Sequence, residues 1–128
     1  MMKLYLVTVA VVLVPVALSY GVDPAAILPK FMKITVEGTD QTHILRALMS
    51  LYLGMSVFCI LAAFTPEWGR VAVIWPVFFM FSLVAGRVLS LIVDGIPSRV
   101  FLLYLAVEVL GGLWGLAALA HELRKARS

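Results

Sequence analysis

The sequence has little charge and a single cysteine. Charged residues make up 13% of its 128 residues, whereas about a quarter are charged in ordinary soluble domains. A disulfide scaffold is excluded because Cys59 has no partner. Disorder is excluded because 63% of the residues are hydrophobic. A soluble chain of 14.0 kDa could not bury so much apolar surface, so the composition predicts a membrane protein.

Common catalytic and binding motifs are also missing. The sequence has no phosphate-binding loop, no nucleophile elbow and no histidine pair at helical spacing. Its two histidines, His43 and His121, lie far apart, so no metal centre is expected. Basic residues occur at the ends of apolar runs rather than in a stripe, which argues against nucleic-acid binding. The sequence leaves any cofactor unknown and does not decide whether the protein is an enzyme.

Four apolar runs are long enough to cross a bilayer as helices. A hydrocarbon core of about 30 Å requires roughly 20 helical residues, and the runs lack the alternation of barrel strands. We therefore predict one all-α transmembrane domain over residues 1–128, an integral membrane four-helix bundle. Its predicted spans cover about residues 4–20, 44–64, 71–93 and 100–120.

The first run also fits a cleaved signal peptide. Lys3 precedes the apolar stretch, and residues 17–19 form an acceptable cleavage site. However, the run is long for a signal core, and its removal would invert the last helix relative to the distribution of basic residues. These two observations favour a transmembrane span.

The basic residues predict the orientation of the spans, because cytoplasmic loops are enriched in lysine and arginine. We predict that both termini face the cytoplasm, because this orientation places more basic residues inside than outside. The outer side then carries Lys30, Lys33 and Arg99. The inner side then carries Lys3, Arg70, Arg124, Lys125 and Arg127. Four aromatic residues near span ends are expected at the membrane interface, namely Tyr5, Tyr20, Trp68 and Trp75.

The first outer connection, residues 21–42, is long enough to carry structure of its own. Asp23 before Pro24 is typical of a helix start, so a helical turn is expected over residues 24–28. Residues 34–36 are expected to be extended, and Thr39 or Asp40 is expected to cap the second span. The segment is either a lid over the outer mouth of the bundle or a simple surface connection.

Three charged residues lie inside the predicted spans, where each costs about 2.5 to 3.5 kcal/mol near the bilayer centre. At a rise of about 1.5 Å per residue, Arg87 lies about 9 Å and Glu108 about 12 Å below the same outer end. Arg46 lies roughly 3 Å in from the outer end of the second span. We therefore predict that the three charges meet in the outer half of the bundle.

Polar neighbours on the same helix faces complete this predicted cluster. They are His43, Ser50, Ser90, Asp94 and Tyr104. Glycines in residues 111–115 allow a close helix approach on the Glu108 face, so that face is expected against another helix rather than lipid. Ser50 and Gly54 predict the same for the second span.

The cluster has two interpretations. In the first, Arg87 and Glu108 form a structural salt bridge that fixes the helix register, and Arg46 pairs with Asp94 or with a lipid phosphate. In the second, two arginines facing one glutamate form a pocket for an amphipathic ligand or handle a proton. The surplus positive charge favours the second interpretation.

Two sequence patterns are specific enough to suggest a family. The stretch from His43 to Gly54 contains Arg-Ala-x-x-x-Leu-Tyr-Leu-Gly, and residues 86–98 contain Gly-Arg-x-x-Ser-x-x-x-Asp-Gly-x-Pro-Ser, followed by Glu108. Together they resemble a bacterial four-span inner-membrane family catalogued as a domain of unknown function. The resemblance covers nearly the whole chain. It implies a four-span fold in a bacterial inner membrane and implies no activity.

These observations lead to two functional hypotheses. In the first, the protein binds a lipophilic or amphipathic small molecule in the polar pocket in the outer half of the bundle. In the second, it is a non-catalytic accessory subunit that docks on a larger membrane complex, or on further copies of itself, through small-residue faces. Transport is less favoured because four spans without an evident repeat leave little room for alternating access.

Overall fold

The computed structural model describes residues 1–127, which form helices and connections without any strand. Five α-helices follow one another along the chain, and a short 3-10 turn at Pro66–Trp68 precedes the fourth. The helices are α1 (Met2–Gly21), α2 (Pro24–Phe31), α3 (Gly38–Ala63), α4 (Val71–Val93) and α5 (Arg99–Arg127).

The four long helices coincide with the four predicted spans. Each of α1, α3, α4 and α5 is long and apolar enough to cross a membrane, with a mean hydropathy between 1.9 and 2.1 over its best window. The prediction of four helices of spanning length is therefore confirmed. The sequence did not predict the full extent of α2, which at 8 residues is too short to span.

The helix ends differ from the predicted bounds. α3 begins at Gly38, so Thr39 and Asp40 lie in its first turn, and the prediction that one of them caps the helix is wrong. Instead, the Glu37 N–H donates to the Gln41 side-chain oxygen at 2.7 Å, which satisfies a backbone donor at the helix start. α5 continues past residue 120 to Arg127, and basic residues in its last turn suit the negative end of the helix dipole.

The connection between α1 and α3 folds onto the helical core. Asp23 is the N-cap residue of α2 and Pro24 opens the helix, as the sequence predicts, although the Asp23 side chain makes no capping hydrogen bond. Leu28 and Met32 are buried, and α2 contacts both α1 and α3. Residues 33–37 form neither helix nor strand. The connection is therefore anchored at this end of the molecule, which we call the α2 end.

Close packing joins α1 to α3 and α4 to α5. At the end of α1, a Cβ atom on Gly21 would lie 2.5 Å from the Met49 Cβ, so only glycine fits between the two helices there. Near the middle of α1, the Ser56 hydroxyl of α3 donates to the Ala10 carbonyl at 2.6 Å. α1 is consequently the helix most enclosed by the rest of the protein, with half of its best window buried.

The glycines of α5 pack against other helices, as their spacing predicts, but Ser50 and Gly54 of α3 do not. Gly112 faces the Phe81 ring, and Gly115 faces Tyr5. By contrast, Ser50 is exposed, and among residues 1–127 nothing lies within 4 Å of a Cβ placed on Gly54. The prediction that the Ser50 and Gly54 face packs against another helix is wrong within this chain.

Two of the four aromatic residues expected at the membrane interface lie in the core. Tyr5 and Tyr20 are buried, whereas Trp68 and Trp75 are exposed near span ends. The Tyr5 ring packs edge-on against Trp114 with 5.4 Å between centroids. Its hydroxyl is buried and has no hydrogen-bond partner among residues 1–127.

Replacing Tyr5 by Phe is expected to raise the free energy of unfolding by about 1 kcal/mol, because a buried polar group without a partner costs about 1–3 kcal/mol. Unfolding in mixed micelles with a rising fraction of sodium dodecyl sulfate measures the change. Tyr20→Phe is the control, since that hydroxyl accepts a hydrogen bond, and it should lower stability. A clear loss of stability in Tyr5→Phe would show that the Tyr5 hydroxyl has a partner after all.

Candidate functional site

An ion pair whose carboxylate is buried joins α4 to α5. Glu108 is 2% exposed. The Arg87 Nε donates to Glu108 Oε2 at 2.6 Å, and Nη2 donates to Oε1 at 2.9 Å. This two-point contact between a guanidinium and a carboxylate is the strong, planar form of the interaction. It confirms that the two residues lie at one level, as their depths predict.

Two tyrosine hydroxyls connect the ion pair to α1 and α3. Arg87 Nη2 donates to the Tyr20 hydroxyl at 3.2 Å and to the Tyr52 hydroxyl at 3.4 Å. The Tyr52 hydroxyl in turn donates to Glu108 Oε1 at 3.3 Å. The Tyr20 and Tyr52 rings stack with 5.7 Å between centroids. All four long helices therefore contribute to one polar site.

Aromatic rings also surround the guanidinium. The Arg87 Cζ lies 5.8 Å from the ring centroids of both Phe101 and Tyr104, within the range of a cation–π interaction. The Tyr104 and Ser19 hydroxyls share a hydrogen bond of 2.6 Å, which holds the Tyr104 ring against α1. The positive charge is thus stabilised by a carboxylate on one side and by π faces on the other.

A groove between α4 and α5 reaches this site, and we call it the α4–α5 groove. It has a volume of about 250 Å³. Arg87, Ser90 and Leu91 of α4 line one side, and Phe101, Leu102 and Leu105 of α5 line the other, with Pro97 at the end. Apart from Arg87 and Ser90, its walls are apolar.

One nitrogen of Arg87 is left for a molecule in the groove. Nε and Nη2 make all of the hydrogen bonds that this side chain forms with residues 1–127. Nη1 makes none of them. It is also not fully buried, since the Tyr5 hydroxyl is the one fully buried polar side-chain atom without a partner among residues 1–127. Nη1 is therefore a donor without a partner among residues 1–127, on a charged side chain that lines the α4–α5 groove.

Comparison with known proteins places the chain in a family. A family model described as a domain of unknown function (DUF4345) matches residues 1–119. The chain belongs to the DUF4345 family. The matched region includes every residue of the ion pair and its tyrosine partners. No curated protein and no solved structure matches the chain.

The DUF4345 chain brings together three of the eight residues predicted for the polar cluster. Arg87 and Glu108 form the ion pair, and Tyr104 packs against it. Ser90 lines the α4–α5 groove, but its hydroxyl donates to Asp94 at 2.8 Å. His43 and Ser50 are exposed on α3, so neither belongs to the site.

Arg46 does not join Glu108 in the DUF4345 chain. Its Nη1 donates to the Gly21 carbonyl at 3.0 Å. The last carbonyls of a helix have no partner within that helix, and the close approach of α1 and α3 at Gly21 brings one of them within reach. The prediction of two arginines around one glutamate is therefore wrong, and the site carries no surplus positive charge from Arg46.

Sequence reasoning missed four residues of this DUF4345 site, namely Ser19, Tyr20, Tyr52 and Phe101. Tyr20 lies at the end of its span, a position that favours an interfacial aromatic equally well. Tyr52 carried a usable signal, because it presents a hydroxyl within an apolar run, in the Leu-Tyr-Leu-Gly pattern that follows Arg46. Buried tyrosine hydroxyls usually find a hydrogen-bond partner.

Proposed function

We propose that the protein is an integral membrane protein of a bacterial inner membrane that binds a lipophilic small molecule in the α4–α5 groove. The free Arg87 Nη1 is the observation that carries this proposal. A pocket with apolar walls and a few placed polar groups is the usual form of a small-molecule site. In this arrangement Arg87 binds the polar head, and Phe101, Leu102 and Leu105 contact the apolar part.

The charge of the site favours a neutral head group. Arg87 and Glu108 neutralise each other at 2.6 Å, and Arg46 bonds elsewhere. A carbonyl or ester oxygen accepts a hydrogen bond from Nη1 without adding a charge to the membrane interior, where charges are costly. The groove of about 250 Å³ is smaller than most drug-sized pockets. It therefore fits the head and the first part of an apolar chain, and the rest of the chain lies in lipid.

The hydrogen bonds of Glu108 support binding rather than acid–base chemistry. Oε2 accepts from Arg87 Nε, and Oε1 accepts from both Arg87 Nη2 and the Tyr52 hydroxyl. A general base must reach the proton that it abstracts. Since both oxygens are held by groups of the protein, Glu108 serves to position Arg87.

Native mass spectrometry of protein extracted gently from its own membrane tests the proposal. We expect a retained small-molecule mass that is lost in Leu105→Trp, because the indole fills the α4–α5 groove without removing Arg87 or Glu108. Leu113→Trp is the matched control, since Leu113 lies on an exposed face of α5 and lines no part of the groove. It should keep the mass.

Two results would contradict binding in the groove. One is a small molecule that Leu105→Trp and Leu113→Trp retain equally. The other is wild-type protein that carries no small molecule at all. Fluorescence-detected unfolding of both tryptophan variants shows whether a loss of the mass reflects a blocked groove or a misfolded chain.

A second candidate function is that of an accessory subunit. Gly54 on α3 and Gly86 on α4 both have open space around them within this chain, and small residues favour close contact between membrane helices. A second protein mass in the same spectra, or a second copy of this chain, would support this function. Its loss in Gly86→Leu would locate the contact on α4.

A further inference from the structure

A second cleft opens at the end of the molecule opposite to the α2 end, and we call this the Lys3 end. The cleft has a volume of about 320 Å³ and lies where α1 begins, α3 ends and α4 begins. Apolar residues form its floor, and the cleft is open because several of their side chains are small. Among the lining residues are Leu6, Ala62, Ala63 and Ala72, with Lys3 and Phe64 also in the wall.

Basic side chains dominate the Lys3 end. The Lys3 Nζ lies 4.6 Å from the centroid of the Phe64 ring, so the ammonium group is held beside the cleft. Glu67 and Glu122 are the acidic residues of this end. The basic residues are Lys3, Arg70, Arg124, Lys125 and Arg127. The basic residues outnumber the acidic ones, so an anion is favoured over a cation here.

We infer that this cleft binds one anionic phospholipid, with an acyl chain against the alanines and the phosphate beside Lys3. The cleft lies at the ends of helices that are long enough to span a bilayer, which is the level of the lipid headgroups. Basic residues next to membrane-spanning helices attract anionic lipids. An apolar floor under a cationic rim matches the two parts of a phospholipid. This site is separate from the α4–α5 groove and does not depend on the proposed function.

The test compares two lipids that differ only in headgroup charge. Delipidated full-length protein in detergent is mixed with dioleoylphosphatidylglycerol or dioleoylphosphatidylcholine, and bound lipid is counted by native mass spectrometry. We expect the anionic lipid to bind at an about five-fold lower concentration, the effect of roughly one basic residue near the surface. Lys3→Gln should abolish this preference. Lys30→Gln, which removes an exposed charge at the α2 end, should keep it.

Two further measurements distinguish a phospholipid site from a site for free phosphate. Ala63→Leu fills the apolar part of the cleft and should reduce binding of both lipids. If this variant does not fold, the comparison of Lys3→Gln with Lys30→Gln decides alone. Equal binding of the two lipids, or an equal effect of the two lysine substitutions, would overturn the inference. Displacement of the anionic lipid by millimolar inorganic phosphate would also overturn it, because the cleft would then be a site for free phosphate.

Discussion

An Arg87→Ala variant is expected to lose about 3–5 kcal/mol of unfolding free energy. The substitution removes the guanidinium that binds both carboxylate oxygens of Glu108. Glu108 is buried, and a buried charge that has lost its partner is strongly destabilising, whereas exposed ion pairs contribute little. Unfolding in mixed micelles, followed by the fluorescence of the three tryptophans, measures the loss.

Two further variants show whether the ion pair causes that loss. Arg124→Ala removes an exposed arginine near the end of α5 and should change stability by less than about 0.5 kcal/mol. The double variant Arg87→Met with Glu108→Leu removes both charges and should recover most of the lost stability, because apolar replacements of similar volume often match a buried ion pair. A double variant as unstable as Arg87→Ala would show that the loss has a cause besides the unpaired charge.

A Gly115→Ala variant is expected to lose about 1–3 kcal/mol, the usual effect of overpacking. An added Cβ would collide with the Val77 side chain and would lie 2.6 Å from the Tyr5 hydroxyl. Both neighbours are buried, so neither can move aside freely. The same unfolding measurement applies.

Two controls show whether overpacking causes the loss of stability in Gly115→Ala. Gly86→Ala places a Cβ in open space, so it should gain about 0.5–1 kcal/mol because alanine is the better helix former. Adding Tyr5→Phe to Gly115→Ala removes the nearby hydroxyl and should restore part of the loss. If Gly115→Ala were as stable as Gly86→Ala, α1, α4 and α5 would not meet closely at this position.

The number of helices of spanning length and the level of the ion pair were predictable because both follow from simple helix geometry. Arg87 and Glu108 flank a short connection, so counting residues from it places them at one depth. The glycines of α5 also follow from spacing alone. These features depend only on the residues of one helix or of one helical hairpin, so they can be predicted from the sequence alone.

The position of Arg46 and the roles of the tyrosines were not predictable. Which side chain Arg46 meets depends on which helices are neighbours, and the close approach of Gly21 to α3 supplies a carbonyl that no local pattern reveals. Tyr20 and Tyr52 contact Arg87 across 67 and 35 positions of sequence. Side-chain partners at such separations are fixed by the packing of the whole protein.

The short connection between α4 and α5 bears on how the chain enters the membrane during synthesis. α4 leaves the ribosome before α5, so Arg87 emerges without its counter-charge, and inserting each charged residue alone costs about 2.5 to 3.5 kcal/mol. Glu108 follows 21 positions later and pairs at the same depth. Insertion of α4 and α5 together as a hairpin would bring the two charges into lipid as a neutral pair. Tyr20 and Tyr52 lie on helices that are made earlier, and both contact Arg87 in the folded protein.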